Sequence, residues 1–316
     1  MGPIIRALAA FTMLAGSVEL AFSQDVLKVA IPQRGAWDAG VAELGKRGGI
    51  FKKHGLDLDI LFTQAGPESI QAVIGGSIDV ATAAGISNAV GTFAKGAPVR
   101  IIGSEMIGGH DLYWYVPAGS PIKKIEDFNG KTVAYSLNGS SSHAALLALI
   151  AEYKLTARPT STGNIAATIT STMSGQVDVG FGAAPFGLDL VEEGRTRIIA
   201  TGGDVASLRT RTVRVNLSNV NTIKNRPDVL ARFNRAYQET VEWMYSDPAA
   251  LKHYGEYSGL PEKIVLRVRS LIPKENLATG KVEGIDQVMA DAVAGKFIPA
   301  PLSAEQVKEL IQIPGR

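Results

Sequence analysis

The residues best placed for chemistry lie in the stretch SLNGSSSHAALLALI, where three serines follow a glycine and precede an apolar run with helical spacing. If a strand ends at Ser136 and a helix begins at Ser142 or His143, the loop between them presents free backbone N–H groups, which bind anions at helix N-termini. The predicted ligand contacts in this loop are Asn138, Gly139, Ser140, Ser141 and Ser142. Alternatively, these side chains only cap their helix, as Ser and Asn often do.

Catalytic and metal chemistry is not expected from this sequence. The strained turn of serine hydrolases needs Gly-x-Ser-x-Gly, whereas the run from Gly139 to His143 lacks the second glycine. The four histidines are scattered, and none forms a ligand pair such as His-x-x-x-His. We therefore predict no catalytic residue, no metal and no cofactor.

An internal repeat organises the elements that must position this loop. The motif Gly76-Ser77-Ile78-Asp79-Val80 recurs as Gly175-Gln176-Val177-Asp178-Val179, 99 positions later, and the segments KHGL and EYKL have the same separation. Each copy alternates strand and helix patterns, which predicts an α/β fold with helices on both faces of each sheet. Ligands bind such sheets at the carboxyl ends of their strands. Because Asp79 and Asp178 repeat in both copies, we expect them to hydrogen-bond backbone near a strand start.

The ends and boundaries of the chain predict an exported protein with two lobes. Arg6, the apolar run from Ala7 to Val18 and the small residues before Gln24 are typical of a signal peptide at residues 1–23. We predict lobe one at residues 24–115 plus 212–316 and lobe two at 116–211, joined by two crossover strands. The sequence has no cysteine for a lipid anchor, and a net charge of +2 without a dense basic block argues against nucleic acid. We expect a periplasmic monomer without a membrane anchor.

Other loops are predicted to face the cleft between the lobes. After the first strand, Gln33 and Arg34 could grip a carboxylate or sulfonate, and Trp37 could cover the apolar part of a ligand. Arg34 could equally be a surface residue and Trp37 a partly buried core residue. Loops beside helix starts contribute the remaining expected contacts: Gly66, Pro67, Gly85, Ser87, Asn88, Ala184, Pro185 and Phe186. The pattern does not decide on which side Arg214 and His110 face.

Four segments carry a resemblance to a known family. They are GIFKKHGLDLDILFTQAGPESIQAVIGGSIDVATAAGISN, KGAPVRIIG, GSPIKKIEDFNGKTVAYSLNGSSSH and SGQVDVGFGAAP. In them the chain resembles the periplasmic solute-binding proteins of ABC importers for nitrate, taurine and aliphatic sulfonates, together with their thiamine-precursor-binding relatives. The resemblance implies a type II periplasmic-binding-protein fold, with two mixed or parallel sheets, whose lobes close over a ligand and then dock on a membrane permease.

One departure from the family bears on the ligand. Aliphatic-sulfonate binders carry a tryptophan and an aspartate near the positions of Ala183 and Ala184, and two alanines make the pocket roomier and less polar. With Trp37 and Tyr113 nearby, this favours an organic anion, aromatic ones included, over nitrate.

The leading hypothesis is therefore the substrate-binding component of an ABC importer, which captures a small organic anion of the sulfonate or carboxylate class. Two alternatives stay open. The chain could be an exported lyase or hydrolase on the same fold, or a sensory module that reports its ligand to a membrane protein.

Overall fold

Apolar strand segments and helix-spaced apolar residues form most elements of this chain in the order that the sequence predicts, and one further strand lies between two of the predicted helices. The computed structural model describes residues 24–277 and 279–315, so the predicted signal peptide lies outside the described residues. The strands are β1 (Asp25–Pro32), β2 (Leu56–Thr63), β3 (Val80–Gly85), β4 (Val99–Ile107), β5 (Leu112–Pro117), β6 (Thr132–Tyr135), β7 (Arg158–Ser161), β8 (Gly180–Ala183), β9 (Thr196–Thr201) and β10 (Thr212–Asn219). The helices are α1 (Val41–Arg47), α2 (Ile50–Lys53), α3 (Gly66–Ile74), α4 (Ile86–Ala94), α5 (Ser141–Glu152), α6 (Ile165–Met173), α7 (Leu188–Glu192), α8 (Val220–Asn225), α9 (Pro227–Ser246), α10 (Pro248–Ser258), α11 (Glu262–Leu271), α12 (Ile285–Ala294) and α13 (Ala304–Leu310).

The two copies of the repeat build two sheets with the same strand order. The first sheet has the order β2-β1-β3-β10-β4, in which β10 alone runs against its neighbours. In the second copy, β6 pairs with β7 in parallel, β8 and β9 flank the antiparallel β5, and a bridge from Val133 to Val179 joins the two groups. The resulting order, β7-β6-β8-β5-β9, matches that of the first sheet position by position. The predicted α/β fold class is confirmed.

The repeated aspartates connect neighbouring strands in both sheets. The Asp79 carboxylate accepts a hydrogen bond from the Lys28 amide at 2.9 Å, and the Asp178 carboxylate accepts one from the Thr132 amide at 2.8 Å. Lys28 lies early in β1 and Thr132 begins β6. The expected structural role of both aspartates is therefore confirmed.

A crossover strand completes each sheet, and the C-terminal segment packs on lobe one. Helix α9 packs against α1, and α12 packs against α4. Because β5 already pairs within the second sheet, we propose that lobe two begins near Leu112, a few residues before the predicted boundary. No helix in the described part of the chain is long and apolar enough to span a bilayer.

Candidate functional site

The carboxyl ends of strands from both lobes meet at one cleft. Where β1, β3 and β6 end, their loops enclose a small space that we call the inner cavity, with a volume of about 20 Å³. A space of that size holds about one water molecule. Its walls are Pro32, Gln33, Asp38, Ala39, Ala65, Gly66, Ala83, Gly85, Leu112, Ser136, Ser140, Ser141, Ser142, Phe181 and Arg214.

The three serines that precede α5 have different roles. Ser140 caps the helix, because its hydroxyl accepts a hydrogen bond from the His143 amide at 3.1 Å. Ser142 is buried, and its hydroxyl lies 3.1 Å from the Ser136 amide and 2.9 Å from the Ser140 hydroxyl. Ser141 instead reaches Arg214, whose Nε donates to the Ser141 hydroxyl at 3.1 Å. The capping interpretation therefore describes Ser140 alone, Ser142 ties the loop to Ser136, and Ser141 is the serine most available to a ligand.

Two helices of lobe one begin at the same cavity. The residues before them, Ala65 for α3 and Gly85 for α4, have no side-chain acceptor for the first backbone N–H groups. Such N–H groups, together with the helix dipole, favour negative charge. With the start of α5, three helix N-termini thus face the cleft.

Arg214, whose orientation the sequence leaves open, points into the cleft. Its side chain is buried, and its terminal nitrogens donate to the Asp38 carboxylate at 2.9 Å and to the Asp111 carboxylate at 2.5 Å. Burial alone would lower the pKa of Arg214, but Asp111, Asp38 and Glu105 together raise it above its ordinary value. The guanidinium is therefore permanently charged and already paired.

Burial raises the pKa of two carboxyl groups around Arg214. Burial raises the pKa of Asp38 to about 6 against the opposing effect of Arg214, and the charge of Asp111 adds to the rise. Burial and the charge of Asp38 raise the pKa of Glu105 well above its usual range. Within the described residues, neither oxygen of Glu105 has a hydrogen-bond partner. Burial thus opposes ionisation of Glu105, and Asp38 exchanges its proton in weakly acidic solution.

The lobes touch beside the inner cavity, and the contact depends on two glycines. A Cβ added to Gly85 would lie 3.0 Å from the Ser141 amide nitrogen, and one added to Gly139 would lie 2.9 Å from Cγ of Asn88. A second cavity of about 10 Å³ lies at the same contact between the lobes, with Ser87 and Arg211 in its walls. It shares Gly85 and Ser141 with the inner cavity. The described conformation is therefore closed.

Arg34 and Phe186 lie farther out, in a larger space that we call the outer chamber. Its volume is about 330 Å³, and Gln33 belongs to its wall as well as to that of the inner cavity. Arg34 is exposed, and its guanidinium lies 5.2 Å from the centre of the Phe62 ring. The walls of the outer chamber are Gln33, Arg34, Phe62, Thr63, Gln64, Asn164, Ile165, Ala166 and Phe186.

The structure places several of the expected ligand contacts elsewhere. Trp37 is fully buried in lobe one, where its indole donates to the Tyr245 hydroxyl at 2.9 Å and packs edge-on against Tyr254. Asn138 is exposed and accepts a hydrogen bond from the Tyr135 hydroxyl at 2.5 Å. Pro67, Ala184 and Pro185 line neither the inner cavity nor the outer chamber. Trp37 therefore has a packing role in place of the expected ligand contact.

Sequence reasoning missed the acidic partners of Arg214. Asp38 follows Trp37 in the loop after β1, which was expected to reach the cleft. Asp111 follows His110 in the short loop that begins with Gly108 and ends where β5 starts. Their common signal is an acidic residue in a loop at a strand end, which is also the signature of ordinary turns. No group of three or more side chains that could hold a metal ion occurs in the described ranges.

Comparison with solved structures identifies the fold. The alkanesulfonate-binding protein SsuA from Xanthomonas axonopodis pv. citri, bound to MOPS, matches with a TM-score of 0.77 and 21% identity over 91% of this chain and 98% of that chain. The aliphatic sulphonate binding protein SsuA from Escherichia coli matches with a TM-score of 0.72 and 20% identity over 93% and 94%. The nitrate-binding protein NrtA from Synechocystis PCC 6803 gives 0.70 and 13% over 92% and 86%. The chain therefore has the two-lobed periplasmic-binding-protein fold.

A protein-family model identifies one family within this fold class. The model described as NMT1/THI5 like matches residues 43–251, which is more than half of the chain. The chain belongs to the NMT1/THI5-like family, and the predicted resemblance to solute-binding proteins is confirmed. No curated protein sequence matches the chain.

Proposed function

We propose that the chain is the substrate-binding component of an ABC importer, which captures a small organic anion of the sulfonate or carboxylate class and delivers it to a permease in the inner membrane. We infer that it works as a monomer in the periplasm and that the lobes close by a hinge motion. The observation that carries the proposal is the position of Ser141, which joins the N-terminus of α5 to the buried Arg214. Family membership supports the same role.

The free energies fit an anion that is bound mainly by N–H groups. A partly buried helix N-terminus contributes up to about 2 kcal/mol to a bound anion, and micromolar affinity needs about 8 kcal/mol. Three helix starts at that upper limit would leave about 2 kcal/mol, which one charge-assisted hydrogen bond of about 1.5 to 3 kcal/mol supplies. Because Arg214 is already paired, the anion reaches it only by sharing its N–H groups with Asp38 or Asp111.

The test is a ligand screen on residues 24–316. Thermal shifts are measured with taurine, alkanesulfonates, benzenesulfonate, aromatic carboxylates, nitrate and thiamine precursors, because a ligand that binds only the folded state raises the melting temperature. We expect a shift with organic sulfonates or carboxylates and recovery of the ligand unchanged. A ligand that is returned altered would favour an exported enzyme.

The position of the site is tested with one variant and its matched control. Ser141→Leu should abolish the ligand-induced shift, because leucine fills a cavity that holds about one water molecule. Ser270→Leu places the same change on an exposed position of α11 and should leave the shift intact. An unchanged shift for Ser141→Leu would contradict the proposed site.

A further inference from the structure

We propose that the solute extends from the inner cavity into the outer chamber, where a flat aromatic group binds between Phe62 of lobe one and Phe186 of lobe two. The inference deepens the proposed function, since the inner cavity is taken to hold the anionic end. The solute class is thus an aryl or arylalkyl anion.

The volumes of the two spaces indicate this division. Small-molecule sites usually enclose about 300 to 1,000 Å³, so the inner cavity of about 20 Å³ is too small for a whole organic solute. The outer chamber, at about 330 Å³, has room for a ring. Gln33 lines both spaces, and a solute that passes this side chain occupies both.

The walls of the outer chamber suit a planar group. The Phe62 ring lies 6.1 Å from the Tyr257 ring in a stacked arrangement. The planar guanidinium of Arg34 lies over the Phe62 ring, 5.2 Å from its centre. Guanidinium groups stack on aromatic rings as other planar groups do. Because Arg34 is exposed, it can leave the ring at little cost. A solute ring then takes its place and keeps the guanidinium nearby as a counter-charge.

Both lobes hold the chamber in shape. The Tyr113 hydroxyl donates to the Phe186 carbonyl, and a Cβ added to Gly35 would lie 3.7 Å from Cζ of Phe186. At the edge of the chamber, the Asn164 amide donates to the Gln64 side chain of the other lobe at 3.4 Å. The chamber therefore exists only when the lobes are closed, and a ring bound there stabilises closure.

The experiment compares pairs of anions with the same charged group. Isothermal titration at pH 7 measures methanesulfonate against benzenesulfonate, and acetate against benzoate, on residues 24–316. We expect the aryl member of at least one pair to bind about 10-fold more tightly or better, as burial of one ring implies. Phe62→Ala and Phe186→Ala should reduce that advantage to within about twofold, because they weaken the aryl member of each pair more than the short member.

Two further variants separate a lost subsite from a damaged fold. Leu61→Ala truncates a 48% exposed side chain on the neighbouring position of β2 and should keep the aryl preference. Phe186→Leu keeps an apolar side chain at this position and should retain part of the aryl preference. Equal affinities within both pairs, or variants that weaken short and aryl anions alike, would overturn this inference while the proposed function stands. If neither member of either pair binds the unmodified protein, the inference fails; if no sulfonate or carboxylate in the thermal-shift screen binds either, the proposed function fails with it.

Discussion

At the scale of single residues, Arg214 connects the lobes through a buried acidic cluster. It pairs with Asp38 of lobe one and with Asp111 at the crossover, and it donates to Ser141 of lobe two. Breaking such a pair leaves an uncompensated buried charge, which costs more than a surface ion pair contributes. Charge and lobe closure are therefore coupled at this residue.

The first prediction concerns Asp38 and the pH dependence of stability. Its pKa is about 6 in the folded protein and near its ordinary value of 3.8 in the unfolded chain. Between these values the folded state binds the extra proton, so stability falls as pH rises from about 4 to 6. Lowering the pH from 7 to 5 should therefore add about 1 kcal/mol through this group.

The measurement is urea unfolding of the unmodified protein and of Asp38→Asn at both pH values. Asn cannot titrate, so the variant should lack this part of the gain. An identical pH dependence in the two proteins would show that Asp38 is not a buried titrating group.

Sequence patterns could not predict the orientation of Arg214 or the burial of Trp37, and the reasons are physical. All of β10 is buried, so alternation does not show which face of the strand carries Arg214 into the cleft. Trp37 has the residue type of a ligand cover, yet the rings of Tyr245 and Tyr254 supply a core site for the same indole. The serine loop was predictable because serine is a favoured capping residue at a helix start, and Ser140 has that role.

At the scale of elements, helix positions followed the sequence closely, and one strand did not. The helix predicted from Ser142 or His143 begins at Ser141, and Gly66 and Pro67, expected beside a helix start, are the first two residues of α3. Strand β7 was not predicted, because its sequence Arg158-Pro159-Thr160-Ser161 lacks apolar alternation. It lies at a sheet edge, where proline is tolerated and little side-chain surface is buried.

The second prediction concerns Gly139 in the serine loop. Its φ of +86° and the 2.9 Å from its added Cβ to the Asn88 side chain mean that alanine there strains the loop and obstructs lobe contact. Gly139→Ala should weaken binding of the anion found in the screen by about 10-fold or more, as 1.4 kcal/mol of lost closure implies.

Gly130→Ala is the matched control. Its φ is +71°, and no atom lies within 4 Å of its added Cβ among those described. It should cost about 1 to 2 kcal/mol of stability through backbone strain alone and leave binding unchanged. Equal effects of the two variants on affinity would mean that the Gly139 contact plays no part in closure.

At the scale of the whole molecule, an ion cluster outside the cleft also joins the lobes. Glu192 at the end of α7 in lobe two pairs with Lys263 at 2.8 Å and with Arg267, both on α11 of lobe one. These side chains are partly or largely exposed, so each pair contributes about 0.2 to 1 kcal/mol at low salt.

The third prediction is that Glu192→Gln weakens anion binding about two- to fivefold, because the closed state loses both pairs. Calorimetry at low ionic strength should show the loss, and it should shrink at 1 M salt, where charges are screened. Glu239→Gln removes an ion pair with Lys53 and weakens a hydrogen bond with His54, both inside lobe one, and it should leave affinity unchanged. Matching losses in both variants would contradict a role in closure.

The internal repeat made the global architecture predictable, whereas the details of closure were not. A recurring motif predicts two similar lobes, because similar segments form strands at the same position in each sheet. The distance between the lobes depends on side-chain contacts such as that of Gly139 with Asn88, which no periodicity encodes.

The central position of β10 in the first sheet has a consequence for the order in which the molecule is made. Before Thr212 emerges in the compartment where the chain folds, β3 and β4 have no strand between them, although both belong to the earliest part of the chain. The second sheet needs only the continuous segment from β5 to β9, so it can form while the first is still divided. Chains fold as they emerge, N-terminal parts first where these are self-sufficient. Here the lobe that is synthesised first is the last to be completed.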